Sequence, residues 1–83
     1  MDKYYILTFQ NTLGAINGES ELKERNIKIE IMPTPTAITK SCGISIKVNS
    51  EDMYKIKELV KENKINVKSI YLRDDDGYKI FEF

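Results

Sequence analysis

The residue best suited to chemistry in this sequence is Cys42, the single cysteine of the 83-residue chain. It follows the proline-containing segment from Pro33 to Ser41 and stands directly before Gly43 and a strand-like run that begins at Ile44. Loops at sheet ends are commonly exposed, and glycine lets other backbone approach closely. Because the thiolate of cysteine is a nucleophile, we take Cys42 as the candidate reactive group.

Other chemistry is restricted by what the sequence lacks. With no histidine and no second cysteine, one chain cannot form a disulfide, a Cys/His zinc cage or a Cys-His dyad. The run Asp74 to Asp76 lacks the spaced oxygen ligands and distal glutamate of a calcium loop. We therefore expect no metal, no cofactor and no complete enzyme. A lone cysteine is also often a small buried residue without reactivity, and this alternative stays open.

Charge and length narrow the choice of partners. Thirteen basic and thirteen acidic residues cancel, so the chain has no overall field for gathering nucleic acid or anionic lipid. There is no apolar stretch of membrane-spanning length and no signal-peptide pattern, so we expect a single cytoplasmic domain, residues 1–83, in a reducing compartment. Neither nucleic acid nor a membrane is an expected partner.

Hydrophobic periodicity predicts seven elements. The polar run 10–12 offers N-caps for the first helix, and Ser50 is the expected N-cap of the second. Pro33 and Pro35 should stop strand pairing because proline has no N–H to donate. The predicted elements are strands at 3–9, 27–31, 44–48, 67–73 and 78–83, and helices at 13–25 and 50–64.

The Asp76-Gly77 dipeptide predicts a tight hairpin turn between the last two strands. Counting outward from it pairs Asp74 with Lys79 and Leu72 with Phe81, which joins opposite charges and keeps apolar residues on one face.

This element order predicts an α+β fold, the ferredoxin-like βαββαβ split βαβ arrangement with an appended C-terminal strand. The antiparallel sheet should have the order 5-4-1-3-2 and carry both helices on one face. We expect a core formed by Leu7, Leu22, Ile29, Ile31, Ile44, Ile46, Ile56, Val60, Ile70 and Leu72.

In this sheet the third strand runs antiparallel to the first, which brings Cys42 near Asn11, Thr12 and the start of the first helix. Helix N–H groups there, with Lys40 and Ser41 just upstream, would lower the pKa of the thiol, whereas apolar burial would raise it. We expect the effect of these donors to exceed that of burial, so that the pKa of Cys42 is lowered. The residues that we expect to surround Cys42 are Gly43, Ser41, Lys40, Asn11 and Thr12.

Aromatic side chains on the face of the predicted sheet that carries no helices suggest two further hypotheses. An RNA-binding domain of the RRM type would use such aromatics, but Ile44 to Val48 lacks the aromatic residues expected on its third strand. Alternatively, Ile6, Tyr71, Tyr78 and Ile80 would project from the helix-free face as an apolar patch through which the protein forms a homodimer.

Three segments resemble a small bacterial family of putative selenium/sulfur (Se/S) carrier protein-like domains, long without assigned function. They are Tyr4 to Phe9, then Met32-Pro33-Thr34-Pro35, then Ser41 to Ile46. The resemblance covers residues 3–72, so 73–83 would be a C-terminal hairpin extension. It implies that Cys42 holds sulfur or selenium as a persulfide or selenosulfide and exchanges it with a partner enzyme. The alternative is an interaction or regulatory domain that self-associates through its sheet, with Cys42 incidental.

Overall fold

A computed structural model of the protein describes residues 3–36, 38 and 43–81. These described residues form two α-helices and five strands in an α+β arrangement, with a short 3₁₀ turn at Ser50–Asp52 before the second helix. Ser50 therefore begins this turn and does not cap the helix. The elements are β1 (Tyr4–Thr8), α1 (Thr12–Glu24), β2 (Ile29–Pro33), β3 (Ile44–Asn49), α2 (Met53–Lys61), β4 (Ser69–Asp74) and β5 (Gly77–Phe81).

All five strands belong to one antiparallel sheet in the order β2-β3-β1-β4-β5, which confirms the predicted order and the ordered fifth strand. The central strand β1 pairs on both sides: Leu7 is opposite Ile46 of β3 and opposite Ile70 of β4. This register places the ends of β1 and β2 and the starts of β3, β4 and α1 at one end of the sheet.

Both helices end in the same way, at an asparagine with left-handed backbone. Asn26 has φ of 60° and Asn63 has φ of 59°. After α1, the Ile27 N–H donates to the Leu22 carbonyl at 3.1 Å, and an equivalent bond follows α2. Asparagine tolerates this conformation better than most residues, so these positions stop the helices.

One hydrophobic cluster joins both helices to the same face of the sheet. The side of α1 that faces the sheet is formed by Ala15, Gly18 and Leu22. The cluster further contains Leu7, Phe9, Ile27, Ile46, Val48, Met53, Ile56, Leu59, Ile65 and Ile70. Neither helix in the described part of the chain has the length and apolar content needed to cross a membrane.

The predicted core is correct for half of its members and wrong at Ile31. Buried as expected are Leu7, Leu22, Ile46, Ile56 and Ile70, whereas Ile29, Ile44, Val60 and Leu72 are only partly buried. Ile31 is 43% exposed because it lies on the edge strand β2, where only one neighbouring strand covers it.

Two large apolar residues of α1 do not face the sheet. Leu13 and Ile16 are 65% and 51% exposed, and the smaller residues Ala15 and Gly18 pack against the sheet instead. A helix with small residues on its inner face can approach the sheet closely, and the larger side chains then point outward.

Strand pairing continues through Pro33, contrary to the prediction. Pro33 is opposite Ile44, and beyond it the Thr34 N–H donates to the Gly43 carbonyl at 3.1 Å. Because donors alternate in direction along a strand, the Thr34 N–H faces β3 and the nitrogen of Pro33 faces away from it. An edge strand therefore tolerates this proline without losing a ladder bond.

The hairpin register differs from the prediction by two residues. Asp74 is opposite Gly77 and Leu72 is opposite Lys79, so the turn residues are Asp75 and Asp76. Both turn residues have negative φ, and the positive φ of 113° falls on Gly77 instead. The Asp76 N–H donates to the Asp74 carboxylate at 2.8 Å, which lowers the pKa of Asp74, and the nearby Lys79 ammonium lowers it further.

The helix-free face does not contain the predicted apolar patch in full, because Ile6 is completely buried. Cations cover two of its aromatic rings: the Lys47 ammonium lies 4.4 Å from the ring centre of Tyr4, and the Arg73 guanidinium lies 4.8 Å from that of Tyr78. Homodimer formation through this face stays a prediction.

Two glycines of α1 allow a matched test of helix packing. A Cβ added at Gly18 would lie 2.9 Å from the buried Phe9 ring, whereas one at Gly14 would make ordinary contacts at 3.6 Å. We expect Gly18→Ala to lower the free energy of unfolding by about 1–2 kcal/mol, since overpacking outweighs the gain in helix propensity. Gly14→Ala should leave it unchanged or raise it by up to about 1 kcal/mol. Urea unfolding measures both, and equal effects would contradict the close packing of α1.

Candidate functional site

The loop between β2 and β3 contains the candidate reactive residue. Cys42, with the predicted neighbours Lys40 and Ser41, lies outside the described residues. The described part of the site comprises the base of this loop and the start of α1, where the other predicted residues, Asn11 and Gly43, are found together with Thr12.

Asn11 is the N-cap of α1, as the polar run before the helix predicted. Its side-chain oxygen accepts a hydrogen bond from the Gly14 N–H at 2.9 Å, and its backbone carbonyl accepts one from Ala15 at 3.2 Å. The first N–H groups of a helix have no partner within the helix. With Gly14 capped, the N–H groups of Thr12 and Leu13 are the remaining helix donors at this end. Asn11 and Thr12 are both exposed to solvent.

Gly43 is exposed, and packing among the described residues does not require a glycine there. An added Cβ would meet no atom of the described residues within 4 Å beyond its chain neighbours. The close backbone approach expected at this glycine is therefore not found within the described part of the molecule.

Two hydrogen bonds close the base of the loop. The backbone bond from Thr34 to Gly43 is the first, and the second joins the hydroxyl oxygens of Thr34 and Ser45 at 2.5 Å. Within the loop, the Ile38 N–H donates to the Pro35 carbonyl at 2.9 Å and forms a turn. Backbone and side-chain contacts thus hold together the two strands from which the loop extends.

Sequence reasoning did not identify Ser45 as part of the site. It alternates with Ile44 and Ile46 along β3 and is completely buried. Thr8 on the neighbouring strand β1 is 1% exposed and donates its hydroxyl to the Ser69 carbonyl at 3.1 Å. The sequence signal that could have indicated this burial is residue type. Ser45 and Thr8 have small hydroxyl side chains, whereas the next polar position along β3 is occupied by the charged residue Lys47.

A separate cleft of about 320 Å³ lies at the opposite end of β2 and β3. Its lining includes Lys47 and Asn49, and the length of β3 separates it from Gly43 by about 17 Å. The Lys47 ammonium is 3.6 Å from the Glu30 carboxylate as well as stacked over Tyr4, so its charge is already engaged. We assign no function to this cleft.

Comparison with known proteins assigns the chain to a family. The model of the family described as "putative Se/S carrier protein-like" matches residues 4–72. The chain belongs to this family. The match includes Cys42 and ends within β4, so β5 lies beyond it. The resemblance recognised in the sequence is therefore confirmed. No curated protein and no solved structure matches the chain significantly.

The hydroxyl pair at the loop base should show energetic coupling. Thr34→Val removes the partner of a buried hydroxyl, so we expect a loss of about 1–3 kcal/mol in unfolding free energy. Ser45→Ala should cost about 0.5–1.5 kcal/mol, because the partly exposed Thr34 hydroxyl can turn to water. The double variant should lose less than the sum of the two changes.

Urea denaturation of the wild type, the two single variants and the double variant measures this coupling. The exposed loop residue Thr36 provides the control, and Thr36→Val should change stability by no more than about 0.5 kcal/mol. Strictly additive losses from Thr34→Val and Ser45→Ala would mean that the two hydroxyl groups do not interact in solution.

Proposed function

We propose that this protein carries sulfur or selenium on Cys42 and delivers it to a partner enzyme. The observation that supports this most strongly is membership of the Se/S carrier-like family, with the only cysteine of the chain inside the matched region. A family of carriers needs a group that binds a chalcogen covalently and reversibly. Among protein side chains the thiolate of cysteine does this directly.

Loading would proceed by thiolate exchange without net oxidation. Cys42, after losing its proton to solvent, attacks the terminal sulfur of a donor persulfide, R–S–SH. A bond forms between Sγ of Cys42 and that sulfur, the S–S bond of the donor breaks, and R–S⁻ leaves and takes up a proton. A donor with terminal selenium gives the selenosulfide in the same way. Delivery is the reverse reaction with an acceptor thiolate, and no cofactor takes part.

The described surroundings favour such an anionic group. The antiparallel register of β1 and β3 places Gly43, the residue after Cys42, toward the sheet end where α1 begins. The N–H groups of Thr12 and Leu13, which have no hydrogen-bond partner among the described residues, and the positive end of the helix dipole would stabilise a thiolate or persulfide anion there. Lys40, two residues before Cys42, adds a positive charge. We propose Ser41, Gly43 and the cap residue Asn11 as further neighbours.

The exposure of Gly43 supports transfer between proteins. Nothing among the described residues fills the space beside it, so a partner has room to approach the neighbouring cysteine. We also infer that the fold is the ferredoxin-like split βαβ arrangement with an appended strand. Its two helices cover one face of the sheet, and both ends of the loop that holds Cys42 are anchored in the sheet.

Incubation with a small-molecule persulfide donor, followed by intact-mass measurement, tests the proposal. We expect the wild-type chain to gain the mass of one sulfur atom, and reductant should remove it. Cys42→Ser should show no gain. Ser20→Ala, at an exposed position of α1 outside the proposed surroundings of Cys42, serves as the control and should load as the wild type does. No mass gain under conditions that load an unstructured cysteine peptide would overturn the proposal.

A further inference from the structure

Charged side chains are almost absent from two segments of the chain. Residues 6–18 contain none, and residues 31–46 contain one, Lys40, although 31% of all residues are charged. The first segment includes the end of β1 and the first half of α1. The second includes β2 from Ile31 onward, the loop and the start of β3. This segregation is strong for a chain so rich in lysine and glutamate.

The fold brings these two segments to the same end of the sheet. Strand β1 ends at Thr8 and α1 begins at Thr12, while the antiparallel strands β2 and β3 end and begin at Pro33 and Ile44. We call this surface the uncharged end, defined by described residues 10–17, 31–36 and 43. Its exposed members are all uncharged: Gln10, Asn11, Thr12, Leu13, Ile16, Asn17, Ile31, Pro33, Thr36 and Gly43.

Large hydrophobic side chains are exposed at this end. Leu13, Ile16 and Ile31 have exposed fractions of 65%, 51% and 43%, and they are three of the five large hydrophobic residues exposed in the described part of the chain. Leu13 and Ile16 lie one turn apart on the outer side of α1, next to the helix start. Elsewhere the exposed surface consists mainly of lysine and glutamate side chains.

We propose that the uncharged end is the docking surface for the protein that exchanges sulfur or selenium with Cys42. This inference rests on the proposed function, because the loop of Cys42 extends from the same surface. The centres of protein interfaces are depleted in charge, since each buried charge must lose its hydration. The partner should therefore present an uncharged, apolar rim around its own reactive thiol.

Two considerations favour a transient protein partner over a second copy of this chain. A copy held permanently on this surface would cover Gly43, so that a partner enzyme could not approach the adjacent residue Cys42. The described surface is also small: its ranges 10–17, 31–36 and 43 contain 15 residues, fewer than the roughly 20–30 residues on each side of a standard stable interface. Such an area suits a short-lived complex, whereas stable homodimers bury larger apolar interfaces.

The experiment compares exposed large hydrophobic residues inside the uncharged end with one outside it. A photoreactive phenylalanine analogue replaces Leu13 or, as the control, Ile80, which is 60% exposed on β5. The full chain is expressed in its native cells and irradiated. The protein captured at position 13 is then purified and used, with its own chalcogen substrate, to load wild-type, Ile16→Gln and Ile80→Gln chains. Inorganic polysulfide loads the same chains without docking.

We expect capture at position 13 and not at position 80, of a protein that loads Cys42. Ile16→Gln should slow loading by that protein about tenfold, the effect of losing one important interface side chain. Ile80→Gln should change it less than about twofold, and polysulfide should load all three chains equally because neither substitution adds a charge. Loading by the protein should also vary little between about 50 and 300 mM salt, because an uncharged interface is not screened.

Several results would overturn the docking surface: no capture at position 13, capture of a second copy only, equal loading of Ile16→Gln and Ile80→Gln, or a steep dependence on salt. These are distinguishable from failure of the carrier function itself. If polysulfide adds no sulfur to wild-type Cys42, the carrier proposal fails, whatever is captured at position 13.

Discussion

The contact on which the rest of the structure depends is the packing of Gly18 in α1 over the ring of Phe9. Phe9 is fully buried and lies just beyond the end of β1, three residues before the helix begins. Because a Cβ at Gly18 would come within 2.9 Å of this ring, the helix lies as close to the sheet as the backbone allows. The contact sets the position of α1, and with it the position of the Asn11 cap and of the helix N–H groups.

The same contact explains why apolar residues of α1 are exposed. A helix whose inner face consists of Ala15, Gly18 and Leu22 leaves no space beneath it for the side chains of Leu13 and Ile16. Exposing two large aliphatic residues has a solvation cost of the order of 1.5–3 kcal/mol each relative to burial. Selection for folding alone would favour polar residues at such sites, so their presence beside a candidate transfer site suggests a binding role.

The order of the strands in the sheet was predictable because it follows from the order of helices and strands along the chain. The pairing register of the β4–β5 hairpin was not predictable in this way. Alternation of Ile44, Ile46 and Val48 identified β3 and its inner face correctly. In the β4–β5 hairpin, however, two registers that differ by two residues keep the same side chains on the same face. The choice between them depended on whether the positive φ of Gly77 lay inside the turn or just after it, which a residue pattern does not specify.

For the site, only the part that depends on local sequence was predictable. Asn11 was recognisable as a helix cap because its short polar side chain precedes a helical pattern. The hydrogen bond between Thr34 and Ser45 depends on how β2 and β3 are aligned and on what covers the sheet, which alternation in β3 does not specify. The predicted strand order already placed β2 at the edge of the sheet, but alternation indicates only which face Ile31 is on, not how much of that face is covered.

The central claim is that Cys42 holds a chalcogen atom during the working life of the protein. The most direct test is the intact mass of the chain isolated anaerobically, without reductant, from its native cells, with Cys42→Ser isolated in parallel. The account predicts a fraction of wild-type protein heavier by one sulfur or one selenium atom, converted to the unmodified mass by dithiothreitol and absent from the variant. A wild-type protein found only with a free thiol, or an added mass that persists in Cys42→Ser, would contradict it.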